Sequence, residues 1–291
     1  MLKLGLIGDI KQLEPYAKKL EKQEDIHITG KSSAGTNTDT GNFHFSIPEF
    51  NRIELIERAD ALLINRFSLL PFDLLSTIVK KRKHIFAAEY PGLPVEKCRQ
   101  IANLATEAQT VIQIINPFYY LPAVQWLNHN LKKPAFIDIS YFNNEPEISQ
   151  PLLALLLMLK DITGTLPKKI GAVSFHSAEN KTDFKNVRLE FGDASAVNLN
   201  FGSANTASEF KLKAWTAGQV VSFDFDTRHY ACNNSSIETS PFKNISETGS
   251  FSQGISNTNR NLTGIEDYLS VLQAVEKINL KLDQFSISQT R

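Results

Sequence analysis

Glu89, Tyr90 and Pro91 follow a short apolar segment, residues 85–88, and are the side chains best placed to act on a ligand. The segment is apolar on both faces, which is typical of a central strand in a parallel sheet that is covered on both sides. Ligands of such sheets collect just beyond the carboxyl ends of the strands. A phenol such as Tyr90, with an ordinary pKa of about 10, can donate a hydrogen bond or a proton. Glu89 is better suited to orient or cap a neighbouring group.

Asn65 and Arg66 have a comparable position, at the end of the predicted strand over residues 59–66. A guanidinium can hold a phosphate or a carboxylate through two parallel hydrogen bonds. A surface ion pair, which contributes little to stability, explains Arg66 equally well. We expect both side chains to lie over the ligand crevice.

The order of elements indicates how these residues are positioned. Strands and helices alternate over residues 1–116, which predicts a Rossmann-type parallel sheet. Strand candidates then follow one another over residues 170–225, which predicts antiparallel pairing. The polar segment 238–261 is predicted to be a loop, and residues 265–282 a terminal helix. The fold class is therefore α/β, with an α+β domain over residues 117–291 whose sheet is mainly antiparallel and whose terminal helix packs back on the first domain.

Composition excludes several classes of protein. The 291 residues include 31 Lys and Arg and 31 Asp and Glu, so no overall field attracts nucleic acid or an anionic membrane. The two cysteines, Cys98 and Cys232, form neither a metal-ligand spacing nor a disulfide framework and fit a reducing compartment. The amino-terminal apolar run is too short for a signal peptide, and residues 152–159 are too few to span a bilayer. We expect a cytoplasmic protein without metal, nucleic-acid or membrane partners.

Four segments together resemble the glucose-fructose oxidoreductase / inositol dehydrogenase family (Gfo/Idh/MocA): residues 4–8, 59–64, 83–91 and 121–123. The resemblance implies a dinucleotide-binding domain, NAD or NADP as cofactor, and a sugar-like substrate. In that family a Glu-Lys-Pro strand end supplies a lysine that helps to bind and protonate substrate. Tyr90 occupies the position of that lysine, so the resemblance makes Tyr90 the candidate catalytic residue. The candidate cofactor-binding residues are Gly8, Asp9, Ile10, Lys31, Asn65, Arg66 and Glu89.

Lys31 falls where the family binds the adenosine ribose. A cation there would suit a 2′-phosphate and therefore NADP. The alternative is a solvated loop lysine. The sequence leaves both interpretations open.

Three departures from the family pattern indicate a divergent member. The turn Gly-X-Gly-X-X-Gly/Ala has Ile10 and Leu13 at its second and third glycine positions, and a β-branched residue there crowds the phosphates. Asp9 adds a negative charge beside them. Tyr90 cannot supply the ammonium charge of the family lysine. The positions of the family's Asp and His pair fall near Ala154 and Leu157.

Two functions follow from the sequence. The first is an NAD(P)-dependent oxidoreductase that moves a hydride to or from a hydroxyl or carbonyl carbon of a sugar-like small molecule, with Tyr90 as proton donor. The alternative is a non-catalytic binding or scaffold protein, in which Tyr90 is a packed aromatic residue. In either case we expect a homo-oligomer formed through the carboxyl-terminal sheet.

Overall fold

The computed structural model describes residues 1–33, 47–131, 134–143, 150–177, 182–203, 208–242, 246–256 and 263–289. The chain forms two compact units. The first consists of Met1–Asn116 with Ile245–Leu269, and the second of Pro117–Asn244 with Ser270–Arg291. Each unit therefore consists of two segments that are separated in the sequence.

The first unit is built on a five-stranded parallel sheet, as predicted. Its strands are β1 (Leu2–Gly8), β2 (Ile26–Ser33), β3 (Ala61–Ile64), β4 (His84–Ala87) and β5 (Ile112–Ile114). Their order in the sheet is β2-β1-β3-β4-β5, and every pair is parallel. Strands β3, β4 and β5 are short and almost wholly apolar, as expected for strands that are buried on both faces.

Helices connect these strands. They are α1 (Ile10–Leu20), α2 (Arg52–Arg58), α3 (Phe72–Lys80) and α4 (Val95–Ala108), with a short 3-10 helix at Phe67–Leu69. Helix α1 buries Leu13, Ala17 and Leu20 in one core cluster with residues of β1 and β3. This helical spacing of apolar side chains was the signal that predicted the helix.

The prediction of a loop over residues 238–261 is wrong for its central part. Residues Glu247–Ile255 form helix α7, which Ser246 caps by accepting the backbone N–H of Gly249 on its hydroxyl at 3.2 Å. Phe251 is fully buried against Phe86 of β4, with 5.6 Å between the ring centroids. The apolar contact stabilises a helix whose Ser-, Thr- and Gly-rich sequence has little helical propensity of its own.

The second unit is built on a nine-stranded sheet. The strands are β6 (Phe136–Phe142), β7 (Lys169–Ser177), β8 (Thr182–Glu190), β9 (Ala196–Ser203), β10 (Glu209–Trp215), β11 (Val220–Asp224), β12 (His229–Cys232), β13 (Ser235–Ser236) and β14 (Ser286–Gln289). Their order in the sheet is β13-β12-β11-β10-β6-β9-β8-β7-β14. Most pairs are antiparallel, as predicted, but β6 pairs with β9 and β7 with β14 in parallel. The helices of this unit are α5 (Pro122–Asn130), α6 (Pro151–Thr163) and the end of α8 (Ile265–Gln284).

Helix α6 is apolar on nearly all sides and lies within the core of the second unit. Ala154 and Leu157, near which the resemblance predicts the family's Asp and His pair, are 0% and 1% exposed. Side chains as buried as these serve packing. Within the described ranges, no helix has the length and apolar character to cross a membrane.

Candidate functional site

The carboxyl ends of β1, β3 and β4 bring several of the predicted residues together. The backbone N–H of Asn65 donates to the carbonyl of Ile7 at 3.0 Å, and that of Glu89 donates to the carbonyl of Asn65 at 2.9 Å. Gly8 ends β1 with a φ of +142°, in the region that favours glycine. A Cβ on Gly8 would lie only 2.4 Å from the Cβ of Asn65. The ends of β1 and β3 therefore approach so closely that residue 8 has no room for a side chain.

Glu89 is the centre of a hydrogen-bond network at this edge. Its Oε1 accepts the side-chain amide of Asn65 at 2.5 Å, and its Oε2 accepts Nε and Nη2 of Arg66 at 2.9 and 2.5 Å. The same amide nitrogen of Asn65 donates to Oε1 of Gln12, in the first turn of α1, at 3.0 Å. Asn65 is 3% exposed, whereas half of the Arg66 side chain faces solvent. The Arg66 guanidinium is therefore ion-paired with the Glu89 carboxylate.

Asp9 occupies the amino end of helix α1. Its Oδ1 accepts the backbone N–H of Lys11 at 3.0 Å, so the helix is capped by its own carboxylate. Ile10 is the first residue of α1, and its side chain lies outside what the structure describes. Leu13, at the third glycine position of the family turn, is fully buried in the core. The turn thus has a carboxylate at the helix terminus and a leucine between helix and sheet.

Lys31 lies on β2, away from the network around Glu89. Its Nζ is 3.9 Å from Oε2 of Glu49, and only 12% of its side chain is exposed. Glu49 also accepts the backbone N–H and the hydroxyl of Ser33, at 2.8 and 3.2 Å. The lysine is therefore a nearly buried member of an ion pair.

Tyr90 lies in the interior of the first unit. It is 7% exposed, and its ring is stacked on that of Tyr268, with centroids 6.0 Å apart and planes 22° apart. Among the described residues its hydroxyl has no hydrogen-bond partner. Burial is the main cause that raises the pKa of the Tyr90 phenol far above its ordinary value. A phenol with so high a pKa stays protonated at neutral pH and is a weak proton donor.

Glu247 belongs to this buried region and was missed by the sequence analysis. It is the first residue of α7; its Oε1 is out of contact with solvent and has no partner among the described residues. Burial raises the pKa of its carboxyl group, and a backbone hydrogen bond from Asn116 opposes that effect. Ser246 followed by apolar Phe251 and Ile255 was the available signal, an N-cap before a short apolar face.

These two sheets, the first parallel with polar strand ends and the second mainly antiparallel, define the fold of the Gfo/Idh/MocA dehydrogenases. The chain has that fold, so the resemblance predicted from its sequence is confirmed at the level of the fold. Neither a protein-family model nor a curated protein matches the sequence.

Solved structures match nearly the whole chain. UDP-N-acetylglucosamine 3-dehydrogenase GnnA from Acidithiobacillus ferrooxidans is 15% identical with a TM-score of 0.77, and the match covers 98% of both chains. Biliverdin reductase from Synechocystis sp. PCC 6803, solved with biliverdin and NADP+, is 15% identical with a TM-score of 0.71 over 97% of this chain and 99% of that one. A putative myo-inositol dehydrogenase from Sinorhizobium meliloti 1021 is 12% identical with a TM-score of 0.73 over 98% of both chains. At these identities the likeness establishes the fold.

The residues at the carboxyl edge of the first sheet do not fit a dinucleotide well. A pyrophosphate on a Rossmann-type turn is held by backbone N–H groups at a helix amino end, which glycines leave open. Here the carboxylate of Asp9 already accepts one of those N–H groups. The amide of Asn65 and the guanidinium of Arg66 are both bonded to Glu89. Three groups that could contribute donors to a phosphate, the N–H of Lys11 and the side chains of Asn65 and Arg66, are thus bonded to the chain's own carboxylates.

Proposed function

We propose that the chain is a non-catalytic binding or scaffold protein that keeps a dehydrogenase fold without dinucleotide chemistry. The observation that carries this proposal is the pair of carboxylates, Asp9 and Glu89, at the carboxyl ends of the parallel strands. Asp9 caps α1, and Glu89 accepts hydrogen bonds from Asn65 and Arg66. An anionic ligand at this edge would have to displace both and would lie beside two negative charges.

The proton-transfer groups that the resemblance implies are also replaced. Tyr90 takes the place of the family lysine, and its buried phenol carries no charge that could bind a substrate oxygen anion. Ala154 and Leu157 take the place of the Asp and His pair and are core residues. Without a general acid or base at either position, binding is a better supported role than hydride and proton transfer.

The second candidate is the NAD(P)-dependent oxidoreductase acting on a sugar-like or other hydroxyl or carbonyl substrate. Gly8 favours it, because a glycine with a φ of +142° ends β1 where the resemblance predicts the dinucleotide turn to begin. In this candidate Tyr90 is the proton donor, and Lys31 selects NADP.

Titration of the purified protein with NADH and with NADPH, followed by nucleotide fluorescence, separates the two candidates. We expect no fluorescence change up to millimolar nucleotide. Saturable binding of either nucleotide to the unaltered chain would reject the first candidate. Ile10→Gly combined with Asp9→Ala reopens the turn, and nucleotide binding by that variant alone would show that these two residues block the crevice.

A matched control for the reopened turn is Ile53→Gly combined with Asn51→Ala. Ile53 lies in the first turn of α2 in the same unit and is 68% exposed, and Asn51 caps α2 as Asp9 caps α1. The two substitutions have a comparable cost in helix propensity and capping, so any difference in nucleotide binding comes from the position and not from a weakened helix.

We also propose that the protein is cytoplasmic and self-associates through the sheet of the second unit. Every second residue of β6 is only half-buried within the single chain, including Phe136 and Phe142. Apolar groups on such a face favour association with a second copy. Sedimentation velocity at micromolar protein should give an oligomer, and a monomer at all concentrations would contradict the proposal.

A further inference from the structure

The second unit contains a cavity that the dehydrogenase resemblance does not explain. Its volume is about 950 Å³, within the range that holds drug-sized ligands. The cavity lies where the start of α5, the end of β6 and the hairpin of β11 and β12 meet. Five of its lining residues are aromatic: Phe118, Tyr141, Phe210, Phe225 and Tyr230.

The aromatic rings of the lining form one connected wall. Phe210 and Phe225 are stacked with centroids 4.1 Å apart and planes 14° apart. Phe118 lies 4.9 Å from Phe210, and Tyr230 meets Phe225 edge-on at 6.0 Å. Phe225 and Tyr230 are half-buried, so parts of both rings remain available to a ligand. A wall of this kind favours a flat ring, which can stack on faces or meet edges.

A single cation stands at the rim. Arg228 lines the cavity and is exposed, and it makes no ion pair within the described part of the chain. It has a positive φ of 56° in the turn between β11 and β12. Asp224 holds that turn by accepting the backbone N–H of Thr227 on Oδ1 at 3.0 Å. The guanidinium is thus carried by a defined turn next to the aromatic wall.

The lining also includes one carboxylate, that of Asp226. Its Oδ2 accepts the backbone N–H of Phe210 at 2.7 Å, which connects the hairpin to β10. This bond gives Asp226 a structural partner, whereas the five N–H donors of Arg228 make no side-chain hydrogen bond or ion pair to the residues that the structure describes. A carboxylate or sulfonate matches that planar array of donors.

We propose that this cavity binds a flat aromatic anion, with the ring against Phe225 and Tyr230 and the anionic group on Arg228. The assignment rests on residues of the second unit and does not depend on the proposed function. Loss or gain of dinucleotide binding in the first unit leaves it unaffected.

The test is isothermal titration calorimetry of the full chain with 2-naphthoate. Two related compounds separate the contributions: decahydro-2-naphthoate has the same charge without a flat ring, and 2-naphthamide has the flat ring without the charge. We expect one binding site for 2-naphthoate and binding at least about tenfold weaker for each of the other two. No heat from 2-naphthoate at millimolar concentration, or equal binding of decahydro-2-naphthoate, would overturn the proposal.

Variants then locate the site. Arg228→Gln should weaken 2-naphthoate about tenfold and leave 2-naphthamide unchanged, while Arg228→Lys should recover part of the loss. Arg188→Gln is the matched control, because Arg188 is an exposed arginine of β8 in the same unit and is paired with Glu190. Thermal unfolding of each variant checks that the chain is folded. Equal affinity of the two glutamine variants would place the ligand elsewhere and reject the assignment.

Discussion

Tyr90 and Tyr268 are stacked in the interior of the first unit, but among the described residues only one of the two hydroxyls has a hydrogen-bond partner. Tyr268 accepts a backbone hydrogen bond from Gly92, whereas the Tyr90 hydroxyl has no partner among the described residues. A buried hydroxyl without a partner costs about 1–3 kcal/mol. We therefore expect Tyr90→Phe to raise the free energy of unfolding by about 1 kcal/mol, measured by urea denaturation. Tyr268→Phe, the matched control, should lower it, and a loss of stability in Tyr90→Phe would mean that the phenol has a partner.

Gly8 should tolerate no side chain. Alanine there would place its Cβ 2.4 Å from the Cβ of Asn65 and would have to keep a φ of +142°. We expect Gly8→Ala to lower the free energy of unfolding by about 2 kcal/mol or more. Gly218→Ala is the control, because a Cβ on Gly218 would meet no atom within 4 Å. Equal urea midpoints for the two variants would show that β1 and β3 can separate at little cost.

The side-chain amide of Asn65 donates hydrogen bonds to Gln12 of α1 and to Glu89 after β4, so removal of this amide should leave both residues without a donor. Asn65→Ala leaves two acceptor oxygens without their donor in a site where Asn65 itself is 3% exposed. We expect a loss of about 1–3 kcal/mol in the free energy of unfolding. Asn130→Ala, at the exposed end of α5, should change it by less than about 0.5 kcal/mol. A comparable effect of the two substitutions would mean that the network contributes nothing to stability.

Glu247 should make stability depend on pH in a defined direction. Burial raises the pKa of its carboxyl group in the folded chain above the ordinary value of 4.5. Below pH 4.5 the Glu247 carboxyl group is protonated in both the folded and the unfolded chain. Above pH 4.5 the unfolded chain loses this proton freely, whereas the folded chain either keeps the proton or buries a charge, so the free energy of unfolding falls as pH rises. Glu247→Gln should therefore stabilise the chain at pH 7–8, and the gain should shrink as pH approaches 4.5. Glu107→Gln, at an exposed site on α4, is the control. A stabilisation by Glu247→Gln that grows as the pH is lowered would contradict a raised pKa of Glu247.

The two cysteines should differ in reactivity. Cys98 is 0% exposed, and burial raises the pKa of its thiol to about 11. At pH 8 on the order of one Cys98 thiol in a thousand would be ionised, and the thiolate is the reactive form. Cys232 on β12 is half-buried. Ellman's reagent should label one thiol in the folded protein and two in urea, and fast labelling of two thiols before unfolding would contradict the burial of Cys98.

Local signals in the sequence predicted the class of both sheets and most of their strands, because apolar runs and their spacing are decided by neighbouring residues. They did not predict β12, β13 or β14, and the strand predicted over residues 59–66 is shorter in the structure, Ala61–Ile64. Asn65, Arg66 and Glu89 meet because parallel strands all end at the same edge of their sheet. Their side-chain partners could not be predicted in the same way. Gln12 reaches Asn65 only through the direction in which α1 leaves β1.

Contacts between residues far apart in sequence account for the remaining differences between the predicted and the observed structure. The burial of Tyr90 depends on Tyr268, and the ion pair of Lys31 depends on Glu49, which pairs with β2 through an isolated bridge. Helix α7 forms because Phe251 meets Phe86, although its own composition favours a loop. The parallel pairing of β6 with β9 joins strands that are not neighbours in the chain, so the succession of strands could not reveal it.

The return of residues 263–269 to the first unit has a consequence for synthesis on the ribosome. The N–H of Ile114 on β5 donates to the carbonyl of Thr263 at 2.8 Å, and the side-chain amide of Asn116 donates to the hydroxyl of Thr263 at 2.9 Å. These partners leave the exit tunnel only after strands β6 to β13 have been translated. The five strands of the parallel sheet are translated first, but Ile114 and Asn116 obtain their partner Thr263 only late. The nascent chain therefore has an unpaired sheet edge at β5 while the strands of the second sheet emerge.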